Sequence, residues 1–304
     1  MITKKIRYQA NKLKKNQIVL DIETTGLSSL YDKVVVLGLI GYENKTSYII
    51  QYFAENDLEE KRLLEIFLKK SFDKQIITYN GDSFDLPFLK TRLKAYKLQD
   101  NIVYKGIDIY KIIRSKKHLI DFYSMKLVDI EKLIDINRND PSRYKSVSKL
   151  TKEIKKRENP RPILIHNQND LIATEKLIDI DLIIKNMLSL TANNYTFYLL
   201  DISISNNIAK VILESSNELV ESYFTKKNYQ LQTKARQIII YFTVLYGKIS
   251  PNIGGYVSKN IFNLKDSSNY KINPNLLVIK EGKMYNTKNI LNYSLAIIKE
   301  NLNL

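Results

Sequence analysis

The sequence predicts an α/β fold, with a mixed β-sheet flanked by helices and followed by a smaller C-terminal module that is β-rich or α+β. Two patterns support this prediction. Between residues 17 and 97, apolar strand-like runs are followed by segments with the apolar spacing of amphipathic helices. Beyond about residue 192, β-branched and alternating runs are separated by Asn, Ser and Lys, which is typical of short strands and turns.

Three consecutive strands are predicted first. Residues 18–22 read Ile-Val-Leu-Asp-Ile, which is typical of a strand that is buried on both faces. Two further strand-like runs follow, with a turn between them at residues 42–46. We therefore expect an antiparallel meander.

A helix, a strand and a second helix are predicted next. Residues 57–71 have helical apolar spacing, residues 75–81 resemble a short buried strand, and residues 83–97 again have a helical pattern. The order is therefore β-β-β-α-β-α. With the fourth strand parallel to the first, this order is the ribonuclease H-like arrangement.

The remaining chain predicts a domain boundary near residue 190. Residues 104–158 are mostly helical and basic, with a loop around residues 137–146, and residues 160–188 predict one long helix that opens with prolines. We expect a ribonuclease H-like domain at residues 15–190. Residues 191–304 are interpreted as an accessory module, for which we consider a role in substrate binding.

Composition limits the chemistry that the chain can perform. It has 304 residues, 44% of them hydrophobic, and no cysteine, so disulfides, thiolate zinc sites and thiol nucleophiles are excluded. The first 17 residues are basic but lack the apolar core of a signal peptide, and no apolar run approaches the length of a membrane span. We expect a cytoplasmic protein that does not associate with membranes.

The charge of the chain favours a polyanionic partner. The formal net charge is +16, of which +10 lies in residues 1–190 and +6 in residues 191–304. Nucleic acid is the partner we expect, although a compositional drift towards lysine would give a similar charge. The basic run at residues 148–158 fits either a phosphate-binding surface or a solvated helix face.

Acidic residues occur in three separated stretches, which the predicted fold can bring to one cleft. Asp21 and Glu23 lie two residues apart on the first strand, and Asp85 follows the parallel strand. His166 and Asp170 are four residues apart and share one face of a helix. Asp82 and Asp108 are interpreted instead as a charge at a helix N-terminus and as a helix cap.

Four carboxylates in one cleft indicate bound cations, because they cannot all remain ionised beside one another without positive charge. Oxygen ligands without cysteine suit two divalent cations, Mg²⁺ or Mn²⁺. Two such ions can activate a water and stabilise the leaving oxygen during phosphodiester hydrolysis. We therefore expect a metal-dependent nuclease.

Three motifs carry a resemblance to a known superfamily. The segments DIETTGL, YNGDSFDLPFL and HNQND resemble the three motifs of the DEDD superfamily of 3′–5′ exonucleases, and the layout is similar to the YprB-type ribonuclease H-like domain family. The resemblance implies that the four acids bind two divalent ions, that His166 is the general base, and that the substrate is a nucleic-acid end, which we expect to be single-stranded. It also implies five residues that bind the terminal nucleotide, namely Thr25, Gly26, Leu27, Asn80 and Phe84.

One spacing departs from this resemblance. Histidine-type members of the superfamily place their histidine five residues before the last aspartate, and tyrosine-type members place a tyrosine four residues before it. This chain has His166 four residues before Asp170. We interpret it as a histidine variant. A non-catalytic nucleic-acid-binding module and a structure-specific endonuclease are the alternatives, and the choice between DNA and RNA stays open.

Overall fold

The computed structural model describes residues 1–99, 106–122, 124–136 and 147–302, so the loop expected around residues 137–146 lies outside the described residues. The chain divides into two compact units. The first unit comprises Met1–Arg114 and Tyr123–Ile180, and the second comprises Ser115–Phe122 and Asp181–Leu304. Each unit has its own sheets and its own buried core.

The first unit is built on a six-stranded mixed sheet with the strand order β1-β4-β3-β2-β5-β6. Its strands are β1 (Ile2–Arg7), β2 (Gln17–Thr24), β3 (Val34–Glu43), β4 (Thr46–Phe53), β5 (Gln75–Thr78) and β6 (Gly106–Asp108). Its helices are α1 (Glu60–Ser71), α2 (Asp85–Ala95), α3 (Ile109–Ser115), α4 (Leu127–Ile130), α5 (Val147–Lys156) and α6 (Pro160–Lys176). As predicted, β2, β3 and β4 form an antiparallel meander and β5 pairs parallel to β2.

Helices cover both faces of this sheet. On one face, α1 and α2 pack on apolar side chains of the central strands, and the buried helix residues include Leu63, Leu64, Phe67, Phe88 and Leu93. On the other face, α5 and α6 contribute Ile154, Ile163 and Leu164, which pack against Val36 and Phe53. Because β2 is covered on both faces, its sequence is apolar at nearly every position, as expected for a central strand.

The single helix predicted for residues 160–188 is wrong. Helix α6 ends at Lys176, and a separate helix, α7 (Ile180–Met187), begins after a turn. The end of α6 is held by Glu175, which is fully buried and accepts hydrogen bonds from the N–H groups of Lys12 and Leu13 and from the hydroxyl of Tyr8. The break falls where the first unit gives way to the second.

Two strands of the first unit are not predicted from the sequence. Strand β1 pairs antiparallel with β4, and its burial pattern alternates weakly because it lies at the edge of the sheet. Strand β6 has only three residues and pairs parallel with β5. Both are too short or too polar to give a recognisable strand pattern.

The second unit is β-rich. It contains two four-stranded antiparallel sheets, with the orders β10-β9-β8-β7 and β11-β12-β13-β14. Their strands are β7 (Ser189–Ala192), β8 (Tyr195–Ser205), β9 (Ile208–Thr225), β10 (Tyr229–Thr243), β11 (Leu245–Ser250), β12 (Ile253–Lys259), β13 (Leu276–Glu281) and β14 (Met284–Tyr285). The terminal helix α8 (Thr287–Leu302) buries Tyr293 against Phe242. The predicted fold class, a mixed α/β domain followed by a β-rich module, is confirmed.

Across the described ranges, every helix is too short or too polar to cross a membrane.

Candidate active site

Strand β2 places Asp21 and Glu23 on one face of the sheet. Asp21 lies opposite Gly38 of β3, and Glu23 lies opposite Val36. Glu23 is only 9% exposed, and Asp21 is partly buried. Two carboxyl groups are therefore held close together in a poorly solvated part of the domain, where an ionised group is costly.

Asp85 joins these two acids through the backbone of β2. It is the first residue of α2, is 6% exposed, and accepts a hydrogen bond of 3.1 Å from the N–H of Ile22 to its Oδ1 atom. Ile22 lies between Asp21 and Glu23 in the chain. The hydrogen bond therefore fixes the third carboxyl group beside the first two.

The turn before Asp85 is held by Asp108, which lies at the end of β6. The carboxylate of Asp108 accepts hydrogen bonds from the N–H groups of Asn80 (2.9 Å) and Asp82 (3.2 Å). It also accepts one from the N–H of Tyr110 (3.0 Å), so it caps α3 as predicted. Asp82 forms an ion pair with Lys111. Asp108 is 5% exposed, and its charge also raises the pKa of Asp85.

Helix α6 supplies the fourth acid and the histidine. Asn159 caps this helix by accepting a hydrogen bond from the N–H of Arg161, and Pro160 occupies its first position, where a missing N–H has no cost. The Nε2 atom of His166 lies 3.7 Å from Oδ2 of Asp170, and these side chains are 25% and 22% exposed. Both therefore remain accessible at the surface of the helix.

The pKa values show that the four acids share one electrostatic environment. Burial raises the pKa of Asp21 well above its usual value, and the charges of Asp170, Asp85 and Glu23 raise it further. The pKa of Glu23 is also raised well above its usual value, first by burial and then by Asp170 and Asp85. Burial raises the pKa of Asp85 to about 7. All four predicted acids are thus brought together.

The carboxyl groups do not already converge on one point. Within the described part of the chain, no three acidic or histidine side chains are arranged closely enough to hold a metal ion as they stand. The charges of Asp85 and Asp170 nevertheless raise the pKa values of Asp21 and Glu23, which requires that these groups lie near one another. They are hard oxygen donors with mutual repulsion, and this donor set fits a divalent cation.

The structure adds a polar network that sequence reasoning missed. The Nδ2 atom of Asn167, on α6, donates to the backbone oxygen of Asp21 (3.2 Å) and to its Oδ2 atom (2.7 Å). Gln51 of β4 donates from Nε2 to Oδ1 of Asn167 (2.7 Å). Asn167 and Gln51 are both fully buried. The sequence feature that could have identified Asn167 is its position within the HNQND motif.

The five residues predicted to contact the terminal nucleotide occupy two loops next to the acids. After β2, the Thr25 hydroxyl donates to Asp32 (3.1 Å) and accepts from the N–H of Lys33 (2.9 Å), and Leu27 is 78% exposed. A Cβ on Gly26 would lie 2.4 Å from the Asp32 carboxylate, so a larger residue there would displace this side chain. After β5, Asn80 adopts a left-handed conformation with φ of 64°.

Phe84, the fifth of these residues, directly precedes Asp85. Its ring centroid lies 5.5 Å from that of Phe88, and it packs at the margin of the core between the sheet and α2. The packing holds the aromatic side chain against a rigid helix. It leaves Phe84 partly exposed.

A buried ion pair holds the loop that follows β2. Arg92 of α2 donates to Glu60 of α1 from Nε (2.8 Å) and from Nη2 (2.9 Å), and both residues are almost completely buried. Arg92 also donates from Nη1 to the carbonyl oxygens of Ser29 (3.3 Å) and Leu30 (3.4 Å). The N–H of Val34 donates to Glu60 as well. The loop is therefore attached to both helices.

The basic run at residues 148–158 lies largely on α5. Ile154 of this helix is buried against α6 and β3, so the face of α5 that carries Ile154 packs in the core of the domain. Four lysines of the helix are exposed, namely Lys149, Lys152, Lys155 and Lys156. Their exposure leaves both interpretations of the run open.

Part of the chain is similar in sequence to a DNA polymerase. A DNA polymerase III of the PolC type from Ureaplasma parvum serovar 3 is 27% identical over 153 residues, covering 42% of this chain and 10% of the polymerase. The chain therefore spans about a tenth of the length of that relative.

Two solved structures show weaker similarity. The family B DNA polymerase from the archaeon Pyrobaculum calidifontis is 16% identical, with a TM-score of 0.40 over 65% of this chain and 34% of the polymerase. The zinc-bound complex of E. coli exonuclease I with single-stranded DNA is 12% identical, with a TM-score of 0.32 over 73% of this chain and 62% of the exonuclease.

The family assignment comes from a sequence model of the RNase H superfamily, which matches residues 18–180, more than half of the chain. The matched segment begins in β2, which carries Asp21 and Glu23. It ends just after α6, which carries Asp170. The chain belongs to the RNase H superfamily.

Proposed function

We propose that this protein is a metal-dependent 3′–5′ exonuclease that hydrolyses phosphodiester bonds at nucleic-acid ends. The observation that carries the proposal is that Asp21, Glu23, Asp85 and Asp170, from a strand and two helices, lie near enough to one another for their charges to interact, while Glu23 and Asp85 are buried. A cluster of this kind destabilises the protein unless positive charge offsets it. Its presence therefore favours a catalytic role over a purely structural one.

The four acids would hold two divalent cations, Mg²⁺ or Mn²⁺. All of their ligand atoms are carboxylate oxygens, which suit these hard cations. When bound, such ions supply an activated water and stabilise the leaving oxygen. The protein contributes a fixed arrangement of ligands, because Ile22 holds Asp85 and Asn167 holds Asp21.

His166 would act as the general base. It lies four residues before Asp170 on the exposed part of α6, where its Nε2 atom is 3.7 Å from the Asp170 carboxylate. A neutral imidazole at this position can accept a proton from the attacking water while Asp170 orients the ring. This role is a part of the proposal that mutation can test separately from metal binding.

The terminal nucleotide would be bound by the loops that follow β2 and β5. Leu27 offers an exposed apolar side chain beside the acids, and Phe84 offers an aromatic ring beside Asp85. Bases can stack on an aromatic ring such as that of Phe84 without sequence preference. The net charge of +16 would favour attraction of the phosphate backbone, and single-stranded ends would enter this site most readily.

A cleavage assay tests the proposal. Single-stranded DNA and RNA oligonucleotides carrying a 5′ label are incubated with Mg²⁺, Mn²⁺ or EDTA, alongside an Asp170→Asn variant and an exposed control, Glu65→Gln. We expect a ladder shortened from the 3′ end, loss of cleavage with EDTA and with Asp170→Asn, and no effect of Glu65→Gln. A 3′ terminal phosphorothioate should slow the first step.

Two results would favour the alternatives. Tight binding of oligonucleotides without any cleavage in either metal would indicate a non-catalytic binding module. Cleavage of circular single-stranded DNA, which has no ends, would indicate an endonuclease. Either result would contradict the exonuclease proposal.

A further inference from the structure

We propose that Asn167 is a positioning residue that sets the orientation of the Asp21 carboxylate, an inference that rests on the proposed nuclease function. Asn167 lies on α6 between His166 and Asp170, but it reaches into the domain instead of remaining at the surface. It acts through Asp21. Its contribution would therefore appear in the affinity for the divalent cation.

The contacts between Asn167 and Asp21 determine which way the amide points. Its Nδ2 atom lies 3.2 Å from the backbone oxygen of Asp21 and 2.7 Å from Oδ2. A backbone carbonyl oxygen can only accept a hydrogen bond, so the NH₂ group must face Asp21. A neutral donor holds the carboxylate in one orientation without adding a positive charge that would compete with a cation.

Gln51 keeps the Asn167 amide from rotating. Its Nε2 atom donates to Oδ1 of Asn167 (2.7 Å) and to the backbone oxygen of Leu164 (2.7 Å), which belongs to the preceding turn of α6. Neither Gln51 nor Asn167 has any exposed surface. In this setting a rotated amide would lose several buried hydrogen bonds at once, which is costly.

Gly38 provides the space that the amide occupies. Asp21, Gly38 and Gln51 are direct neighbours on β2, β3 and β4, so they form one row across the sheet beneath α6. A Cβ atom on Gly38 would lie 2.1 Å from Oδ1 of Asn167 and 2.7 Å from its Nδ2 atom. The absence of a side chain at Gly38 therefore leaves room for the Asn167 amide of α6 directly over β3.

Calorimetric titration of Mn²⁺ into the 304-residue protein at pH 8 tests this inference. Asn167→Ala should lower the Mn²⁺ affinity by about 10-fold to 100-fold, which is typical when a partner of a metal ligand is lost. Gln168→Ala is the matched control, because its side chain contacts Lys4 on β1, three strands away from β2. It should bind Mn²⁺ like the wild type.

Two further variants make the test independent of any single substitution. Gln51→Met keeps a similar volume but removes the group that orients Asn167, so it should also weaken Mn²⁺ binding. Gly38→Ala should do the same by displacing the amide. In the Gly38→Ala/Asn167→Ala double variant the added methyl group meets no amide, so the double variant should bind Mn²⁺ no worse than Asn167→Ala alone.

The outcomes separate this inference from the proposed function. Melting temperatures identify variants that remain folded, and affinities are compared only among these. Wild-type affinity in folded Asn167→Ala, or losses from Gly38→Ala and Asn167→Ala that multiply in the double variant, would overturn the positioning role while leaving the nuclease proposal intact. A wild-type protein that binds no Mn²⁺ and cleaves nothing would overturn both.

Discussion

Asp85 shows how a single residue of the candidate site affects the stability of the whole domain. Burial raises its pKa to about 7 from a usual value of 3.8. The folded protein therefore binds a proton that the unfolded chain releases at lower pH. Between about pH 4 and pH 7, the contribution of Asp85 to metal-free stability falls as pH rises, because this group binds more protons in the folded state than in the unfolded state in this window.

Asp85→Asn should remove the part of this pH dependence that Asp85 contributes, while Asp21 and Glu23, whose pKa values are also raised, keep theirs. The amide carries no charge and keeps an oxygen that can accept from the N–H of Ile22. In EDTA at pH 8, we expect the variant to be more stable than the wild type by about 1 to 4 kcal/mol, with a flatter pH profile below pH 7. Urea unfolding at several pH values measures this, with Glu65→Gln as the exposed control. A variant less stable than wild type at pH 8 would contradict the prediction.

His166 gives the second prediction at the residue scale. His166→Ala should reduce the cleavage rate by about 100-fold to 10,000-fold, the usual cost of losing a general base, while Mn²⁺ affinity stays unchanged. His166→Tyr should retain more activity than His166→Ala, because the four-residue spacing to Asp170 is that of the tyrosine-type enzymes. Single-turnover rates measure both. Wild-type rates in both variants would show that His166 is not the base.

Sequence reasoning is effective for residues whose chemistry is unusual at their position. Charged groups at the end of an apolar strand are such residues, and Asp21 and Glu23 are recognisable for this reason. Gly38 and Gln51 could not be recognised, because their role depends on which residues lie side by side across three strands. The sequence predicts the strands, but it does not specify their register.

At the scale of elements, the ion pair between Arg92 and Glu60 connects α1, α2 and the loop that follows β2. Both side chains are at most 4% exposed, and together they satisfy the Val34 N–H and two loop carbonyls. Removing Arg92 leaves the buried Glu60 carboxylate without its two-point partner. Glu60 then keeps only a hydrogen bond from the Tyr96 hydroxyl, the one from the Val34 N–H, and Lys33 Nζ at 3.7 Å. This is far more costly than losing a surface ion pair.

Arg92→Ala should therefore lower the free energy of unfolding by about 3 to 5 kcal/mol. Lys90→Ala on the exposed side of the same helix is the control, and it should change stability by less than about 0.5 kcal/mol. Urea denaturation in EDTA measures both without any contribution from cations. A loss below about 1 kcal/mol for Arg92→Ala would show that the pair is not important for holding the loop.

Elements with a strong periodic pattern are predictable, and those that depend on distant contacts are not. The meander, α1, β5 and α2 follow from apolar spacing, and so does the parallel pairing that brings Asp85 to β2. The break between α6 and α7 does not, because no proline or glycine marks it. It depends on Glu175, which contacts the N-terminal segment.

At the scale of the whole molecule, the positive charge is spread over both compact units. Residues 191–304 carry a formal charge of +6, and the hairpin formed by β9 and β10 has four exposed cations, namely Lys226, Lys227, Lys234 and Arg236. We propose that this module adds affinity for the nucleic acid. Deleting it is a poor test, because Ser115–Phe122 belongs to the same unit and would lose its hydrogen bonds.

Replacing the four hairpin cations with glutamine should weaken binding of single-stranded oligonucleotides. Each lost phosphate contact should reduce the slope of log affinity against log salt by about 0.7. The control replaces four exposed cations of α1 and α2 on the opposite side of the sheet from α6, namely Lys61, Arg62, Lys69 and Lys94. Fluorescence anisotropy at several salt concentrations measures both. Equal slopes in the two variants would contradict a specific role for the hairpin.

The proposed nuclease activity requires that Asp21, Glu23, Asp85 and Asp170 together hold the cations that take part in hydrolysis. Calorimetric Mn²⁺ titration of the wild type and of Asp170→Asn at pH 8, with cleavage followed in the same samples, tests it most directly. We predict two bound ions in the wild type, weaker or incomplete binding in Asp170→Asn, and a loss of cleavage by several orders of magnitude in the variant. Wild-type Mn²⁺ binding and cleavage in a folded Asp170→Asn protein would contradict the claim.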